Sequence, residues 1–165
     1  MQGTLAVSMR VVETQEYVER RDAISHEWID LLERRGWAIR LIPNALCAVD
    51  RFLEDLAPAA LLLTGGNDIG PVAPGEAPSP SASRERDAVE RALLRWFVAR
   101  RPPVLGVCRG LQMINVFFGG GLVRELPGCA DGATHARGTL PVRLTHPTFR
   151  CWAGGLAEVM TNTFH

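Results

Sequence analysis

The chain has 165 residues, with 18 basic and 18 acidic side chains and a formal net charge of zero. This length suits one domain with its own hydrophobic core, and the balanced charge argues against a nucleic-acid partner. Charged residues, beginning with Arg10, interrupt the first apolar stretch, so no secretory signal is predicted. No apolar run approaches the roughly 20 residues of a membrane-spanning helix. We therefore expect a cytoplasmic protein without membrane contact.

The N-terminal part of the sequence predicts a strand, a helix and a second strand. Residues 5–12 alternate and are rich in β-branched side chains, residues 22–35 carry apolar side chains at helical spacing, and residues 37–42 are extended again. Asp22 is placed to cap the helix, and Gly36 is placed to end it.

The same alternation continues along the chain. The predicted elements are a helix at 47–56, a strand at 59–64, a helix at 84–100, a strand at 104–107, a helix at 109–118, and strands at 141–145 and 158–161. Strands that alternate with helices predict an α/β fold of three layers, with a mostly parallel, flavodoxin-like or Rossmann-like sheet and helices on both faces. Two turn-rich segments, 71–83 and 127–138, are expected to be surface loops at the ligand-binding edge.

Four cysteines are scattered along the chain with no CxxC pair: Cys47, Cys108, Cys129 and Cys151. This spacing excludes a zinc knuckle and a thioredoxin-type motif. We expect no metal site, no cofactor and no disulfide framework. Apart from Cys108, the cysteines are interpreted as incidental or small buried thiols.

Cys108 lies between a predicted strand and a predicted helix, with Gly106 and Gly110 two residues to either side. This spacing is a nucleophile-elbow pattern with cysteine in place of serine. The partial positive charge of a helix N-terminus favours a thiolate and steadies developing negative charge. The backbone N–H of Arg109 would then belong to an oxyanion hole. The alternative is a buried cysteine at a strand end.

A second glycine pair, Gly65 and Gly66, follows the predicted strand at 59–64. Its backbone would lie beside the neighbouring strand end, where Gly66 could donate the second oxyanion N–H. The alternative is a simple turn. Gly119, Gly120 and Gly121 follow a helix instead of leading into one, so we interpret them as a helix stop and not as a phosphate loop.

Taken together, these motifs resemble the class I glutamine amidotransferase superfamily, and within it the γ-glutamyl hydrolase branch typified by γ-glutamyl-γ-aminobutyrate hydrolase. The opening also resembles γ-glutamyl-CDP-amidate hydrolases. The segments that carry the resemblance span nearly the whole chain in the right order: residues 63–68, 86–90, 103–112 with Asn115, 119–120 and 162–165, with 14–22 and 26–28 for the second likeness.

The resemblance implies hydrolysis of a γ-glutamyl amide through a thioester on Cys108, which releases glutamate and an amine. The N–H groups of Gly66 and Arg109 would hold the oxyanion, and Gly65 and Gln112 would lie against the substrate.

Several further residues match family segments. His165 and His135 fall where the family has histidines near the substrate, although plain solvent exposure is an equal alternative for both. Arg86, Asp87 and Glu90 match a helix-start motif that we interpret as ion pairing and not as direct catalysis.

The chain departs from the family at the general base, which belongs to a C-terminal His-Pro-Glu segment. Here His146-Pro147 is followed by Thr148 and lies in a stretch that matches an earlier family strand. We therefore expect residues 1–165 to form a single glutamine amidotransferase-like domain that is truncated at its C-terminus. The alternatives are a glutaminase domain that supplies ammonia to a synthase partner and a degenerate γ-glutamyl-binding domain. A homo-oligomer also remains open.

Overall fold

A computed structural model describes residues 3–14, 17–123 and 136–164. The chain divides into two compact units, residues 1–122 and residues 123–165. Within the described residues, no helix has the length and apolar character needed to cross a bilayer. The expectation of one incomplete domain stays a prediction.

In chain order the elements are β1 (Thr4–Ser8), β2 (Arg10–Glu13), β3 (Arg20–Ala23), α1 (His26–Arg34), β4 (Ala38–Ile42), α2 (Val49–Leu56), β5 (Ala60–Leu63), α3 (Arg84–Arg100), β6 (Val104–Gly106), α4 (Arg109–Phe117), β7 (Ala136–Arg143), α5 (Pro147–Trp152) and β8 (Glu158–Phe164).

The first unit is built on a four-stranded parallel sheet in the order β4-β1-β5-β6. Counted along the chain these strands have the flavodoxin-like order 2-1-3-4. Successive side chains of a strand point to opposite faces, and β1 shows this clearly: Ala6 packs with α2, α3 and α4, whereas Leu5 and Val7 pack with α1. The predicted three-layer α/β fold with helices on both faces is confirmed.

The long helix α3 has the bounds that the sequence predicts. The Ser83 side chain caps its N-terminus by accepting from the Arg86 N–H at 3.3 Å, and Arg101 ends it in the left-handed conformation, directly before two prolines. The predicted loop at 71–83 forms neither helix nor strand, as expected. Helix α2 begins at Val49, so Cys47 precedes the helix that it was expected to open.

The predicted strand at 5–12 is wrong as a single element. The chain leaves the main sheet after Ser8, and β2 pairs with β3 in a separate antiparallel hairpin. Asp22 therefore belongs to β3 and does not cap α1; its carboxylate accepts from the backbone N–H of Asn44 at 2.8 Å and from that residue's side-chain amide at 2.7 Å. The end of α1 is as predicted, because Gly36 follows it with a φ of +77°.

The second unit contains an antiparallel pair, β7 and β8, and a short helix, α5. The predicted strands at 141–145 and 158–161 are confirmed in type, although β7 begins earlier, within the segment that was predicted to be a loop. The sequence analysis missed α5. The rest of that segment, together with Cys129, lies outside the described residues.

Candidate functional site

The turn between β6 and α4 holds Cys108 in a backbone conformation that residues with a side chain rarely adopt. Its φ is 54° and its ψ is −112°, and its side chain is exposed. Strain of this kind persists only where the surrounding structure enforces it, and it concentrates at functional sites. Cys108 is therefore not the buried strand-end cysteine of the alternative interpretation.

The surrounding packing explains the strain at Cys108. A Cβ on Gly106 would lie 2.5 Å from the carbonyl carbon of Gly110, and a Cβ on Gly110 would lie 2.7 Å from the carbonyl carbon of Leu63. Both glycines are needed because the first turn of α4 lies directly against the ends of β5 and β6. These close contacts restrict the backbone, and Cys108, between the two glycines, adopts the unusual φ and ψ of the sharp turn.

The loop after β5 lies beside the thiol. A Cβ built on Gly65 would be 3.4 Å from the Cys108 Cβ and 3.7 Å from its Sγ, so this glycine leaves the space next to the sulfur open. Gly66 follows with a φ of +92°. Within the described part of the chain, the backbone N–H groups of Gly66 and Arg109 donate to no acceptor. These are the two groups that the sequence analysis assigned to an oxyanion hole.

Arg86 holds the loop after β5 from the inside of the protein. Its guanidinium donates to the carbonyl oxygens of Thr64 at 2.8 Å and Gly65 at 3.0 Å, and to the side-chain oxygen of Asn67 at 3.2 Å. Each of these acceptors sits in the four residues that follow β5. A fully buried cation therefore fixes the backbone from which Gly66 projects.

A buried network of charges connects this loop to the nucleophile turn. Glu90 lies one turn beyond Arg86 on α3, and one of its carboxylate oxygens accepts a hydrogen bond from the Arg86 Nε at 2.8 Å. Its other carboxylate oxygen accepts a hydrogen bond from the Arg109 guanidinium. Arg109 also donates to Asp87, whose second oxygen accepts from the Gly70 N–H at 2.8 Å. The predicted ion pairing of the α3 motif is confirmed. Arg109, the residue after Cys108, is bound to α3 through Asp87 and Glu90.

Burial shifts the protonation of two members of this network. Desolvation raises the pKa of the Asp87 carboxyl, against the opposing hydrogen bond from Gly70 and the charge of Arg109. Desolvation likewise lowers the pKa of the Arg86 guanidinium, against the attraction of Glu90. The cost of burying these charges is offset by their mutual hydrogen bonds, so removing any one partner leaves the others exposed to that cost.

The sequence analysis missed two contacts that complete the loop. Asn67 has a φ of 28°, and its side chain bridges to β2 by accepting from the Val11 N–H and donating to the Val11 carbonyl, each at 2.8 Å. Ser8 ties the end of β1 to the end of β5 through the N–H and hydroxyl of Thr64. The only sequence signal for Asn67 was its place in the Gly-Gly-Asn segment.

Of the remaining histidines and site residues that the sequence analysis discussed, the structure describes some and not others. Gln112 lies in the first turn of α4, where its side chain is exposed, and its N–H donates to the Cys108 carbonyl at 3.2 Å. His135 and His165 lie outside the described residues. His146 caps α5 by accepting from the Thr148 N–H at 3.2 Å, a structural task that fits its exclusion as the general base.

This combination of a strained cysteine turn, an adjoining glycine pair and a buried arginine network agrees with comparisons to known proteins. The family model described as Peptidase C26 matches residues 5–165. The chain belongs to the Peptidase C26 family. The predicted resemblance to class I glutamine amidotransferase-like proteins is therefore confirmed.

The named relatives match different shares of this chain. A glutamine amidotransferase-like protein of Lactococcus lactis subsp. lactis is 31% identical over 156 residues, which are 84% of this chain and 61% of that protein. The γ-glutamyl-γ-aminobutyrate hydrolase of Escherichia coli O157:H7 is 33% identical over 107 residues, 62% of this chain and 42% of that enzyme. The γ-glutamyl-CDP-amidate hydrolase of Campylobacter jejuni is 26% identical over 115 residues, 69% of this chain and 54% of that enzyme. The chain spans between 27% and 62% of the length of the curated relatives it matches.

Proposed function

We propose that this protein hydrolyses the amide bond of a γ-glutamyl compound, with Cys108 as the nucleophile. The observation that carries the proposal is the strained, exposed position of Cys108 at the N-terminus of α4, beside a loop whose glycines leave the sulfur accessible. The names of the relatives support a γ-glutamyl amide as the substrate.

In the proposed reaction the Cys108 thiolate attacks the γ-carbonyl carbon, and the carbonyl π electrons move onto oxygen. The N–H groups of Gly66 and Arg109 donate to this oxyanion. Collapse of the tetrahedral intermediate expels the amine, which takes up a proton, and leaves a thioester on Cys108. Water then attacks the thioester, giving free glutamate and regenerating the thiol.

The α3 network serves this reaction by holding the two oxyanion donors in place. Arg86 fixes the Gly65 carbonyl, and Glu90 with Asp87 fixes the side chain of Arg109. Donors that are already oriented do not have to be reorganised as charge develops on the substrate oxygen, which is why preorganisation contributes strongly to catalysis.

In the family that the sequence resembles, the general base is the histidine of a C-terminal His-Pro-Glu segment. The 165-residue sequence contains four histidines and no such segment. Nucleophilic catalysis by a cysteine depends on an adjacent base, so the test below measures alkylation of Cys108 and protection by a ligand, and not turnover.

The test uses a glutamine-directed chloroketone on the full chain, read by mass spectrometry. Chloroacetamide provides the intrinsic reactivity of each thiol, and the exposed Cys47 and Cys151 are internal references. We expect the chloroketone to favour Cys108 over both references after this normalisation, and L-glutamine to protect Cys108 alone. Equal normalised rates at all three cysteines would refute the proposal.

A further inference from the structure

A cavity of about 110 Å³ opens next to the loop after β5, and no residue of α4 lines it. It is lined by Arg10, Ala23, Ile24, Ser25, Trp28, Thr64, Gly65 and Gly66. These residues come from the β2–β3 hairpin, the start of α1 and the glycine loop. The cavity therefore shares Gly65 and Gly66 with the candidate active site, and a Cβ built on Gly65 would lie 3.7 Å from the Cys108 sulfur.

Arg10 supplies the only ionisable side chain in this lining. A Cβ on Gly66 would lie 2.9 Å from the Cδ of Arg10 and 3.1 Å from its Cβ, so the aliphatic stem of Arg10 lies across the glycine. Within the described residues, the Arg10 guanidinium forms no ion pair or hydrogen bond. It differs in this from Arg86, whose guanidinium approaches the same glycine and is fully paired.

The rest of the lining suits a ligand with an apolar segment. Trp28 is half-buried and offers an aromatic wall, while Ser25 stands at the N-cap of α1 without a side-chain hydrogen bond to the helix. The Ser25 hydroxyl is engaged by Glu27, so the Arg10 cation, and not the hydroxyl, is the group available to a ligand.

The residues that line the cavity indicate which half of a substrate would enter it. Gln112, which the resemblance places against the glutamyl half, lies on α4, and α4 contributes nothing to the cavity lining. A γ-carbonyl held at Cys108, with its glutamyl half toward α4, would send its amine half across Gly65 and Gly66 toward Arg10.

We propose that this cavity is the subsite for the amine half of the substrate, and that Arg10 selects amines that carry an anionic group, a phosphate or a carboxylate. The inference rests on the proposed function, because it takes Cys108 as the point where the two halves of the substrate meet. A guanidinium binds both anions through charge-assisted hydrogen bonds, which are about twice as strong as neutral ones. Arg10 is here a specificity residue and takes no part in bond breaking.

The test measures binding by calorimetry to the full chain carrying Cys108→Ala, which prevents turnover. Three amides whose amine halves share a two-carbon chain serve as probes: γ-glutamyl-ethanolamine, γ-glutamyl-O-phosphoethanolamine and γ-glutamyl-β-alanine. We expect at least one anionic amide to bind about tenfold more tightly than the neutral one. Adding Arg10→Gln should reduce that preference to near parity. Arg40→Gln, at an exposed arginine on β4, should leave it unchanged.

The outcomes separate the sources of the anion and the two proposals. If only the phosphate amide binds more tightly than the neutral amide, the preferred amines are phosphorylated. If the β-alanine amide binds more tightly, the preferred amines carry a carboxylate. The inference is overturned if the neutral amide binds as tightly as both anions, or if Arg10→Gln weakens all three amides equally, which would place Arg10 on the glutamyl half. If the chloroketone still labels Cys108 selectively in that case, the proposed function stands and only the subsite is wrong.

Discussion

Replacing Cys108 by glycine should give a more stable protein than replacing it by alanine. Both variants lose the thiol, but alanine keeps the strain of a φ of 54° and a ψ of −112°, which glycine relieves. Such strain costs about 1–3 kcal/mol, whereas glycine forfeits about 0.4–1 kcal/mol through the greater freedom of the unfolded chain. The free energy of unfolding of Cys108→Gly should therefore exceed that of Cys108→Ala by about 1 kcal/mol, or about 2–4 °C in Tm for a chain of this size.

Urea unfolding followed by circular dichroism measures this difference, with the midpoint and the slope fitted separately. Cys47 provides the matched control, because it is an exposed cysteine with a negative φ. There the order should reverse, with Cys47→Ala more stable than Cys47→Gly. The reasoning fails if alanine is at least as stable as glycine at position 108 while the control behaves as expected.

The remaining predictions concern packing, charge and pH. Gly110→Ala should lower the free energy of unfolding by about 2–3 kcal/mol, since its Cβ would meet the backbone of β5, while Gly121→Ala, with open space around it, should be near neutral; equal urea midpoints would contradict this. Arg86→Met should cost about 3–5 kcal/mol because it strands buried acceptors, and Arg34→Met, which removes an exposed ion pair of the same i,i+4 spacing, should cost far less; comparable losses of Tm would argue against the buried network. Because burial raises the pKa of Asp87, its contribution to stability is full below the ordinary value of 3.8 and is lost as the pH rises. In urea titrations the free energy of unfolding of the Asp87→Asn variant should therefore rise relative to that of the parent as the pH increases above 3.8, and a widening deficit would show the opposite shift.

Local patterns predicted the elements that build the main sheet and its helices. The bounds of α3 followed from helical spacing, the Ser83 cap and the two prolines after Arg101, signals that act within a few residues. The β2–β3 hairpin was missed because β3 reads Arg-Arg-Asp-Ala, a polar run without alternation. Pairing with β2 stabilises it, and this pairing does not show in the residue pattern of β3 itself.

The candidate site divides in the same way. Cys108 with its two glycines was found from spacing alone, because a sharp turn between a strand and a helix needs glycine wherever backbones approach closely. Arg10 was not found. Its importance depends on lying across Gly66, which is distant in sequence and adjacent only after folding.

The sequence by itself determined the α/β class, the cysteine turn and the family, since each depends on residue type and short-range spacing. Only the tertiary structure decided which charges are satisfied. Arg86 and Arg10 have the same side chain, yet Arg86 is enclosed with Glu90 and the carbonyls after β5, while Arg10 is exposed, lies across Gly66 of that loop and lines a cavity. Burial and partner geometry set the role of a charged group, and both are properties of the folded chain.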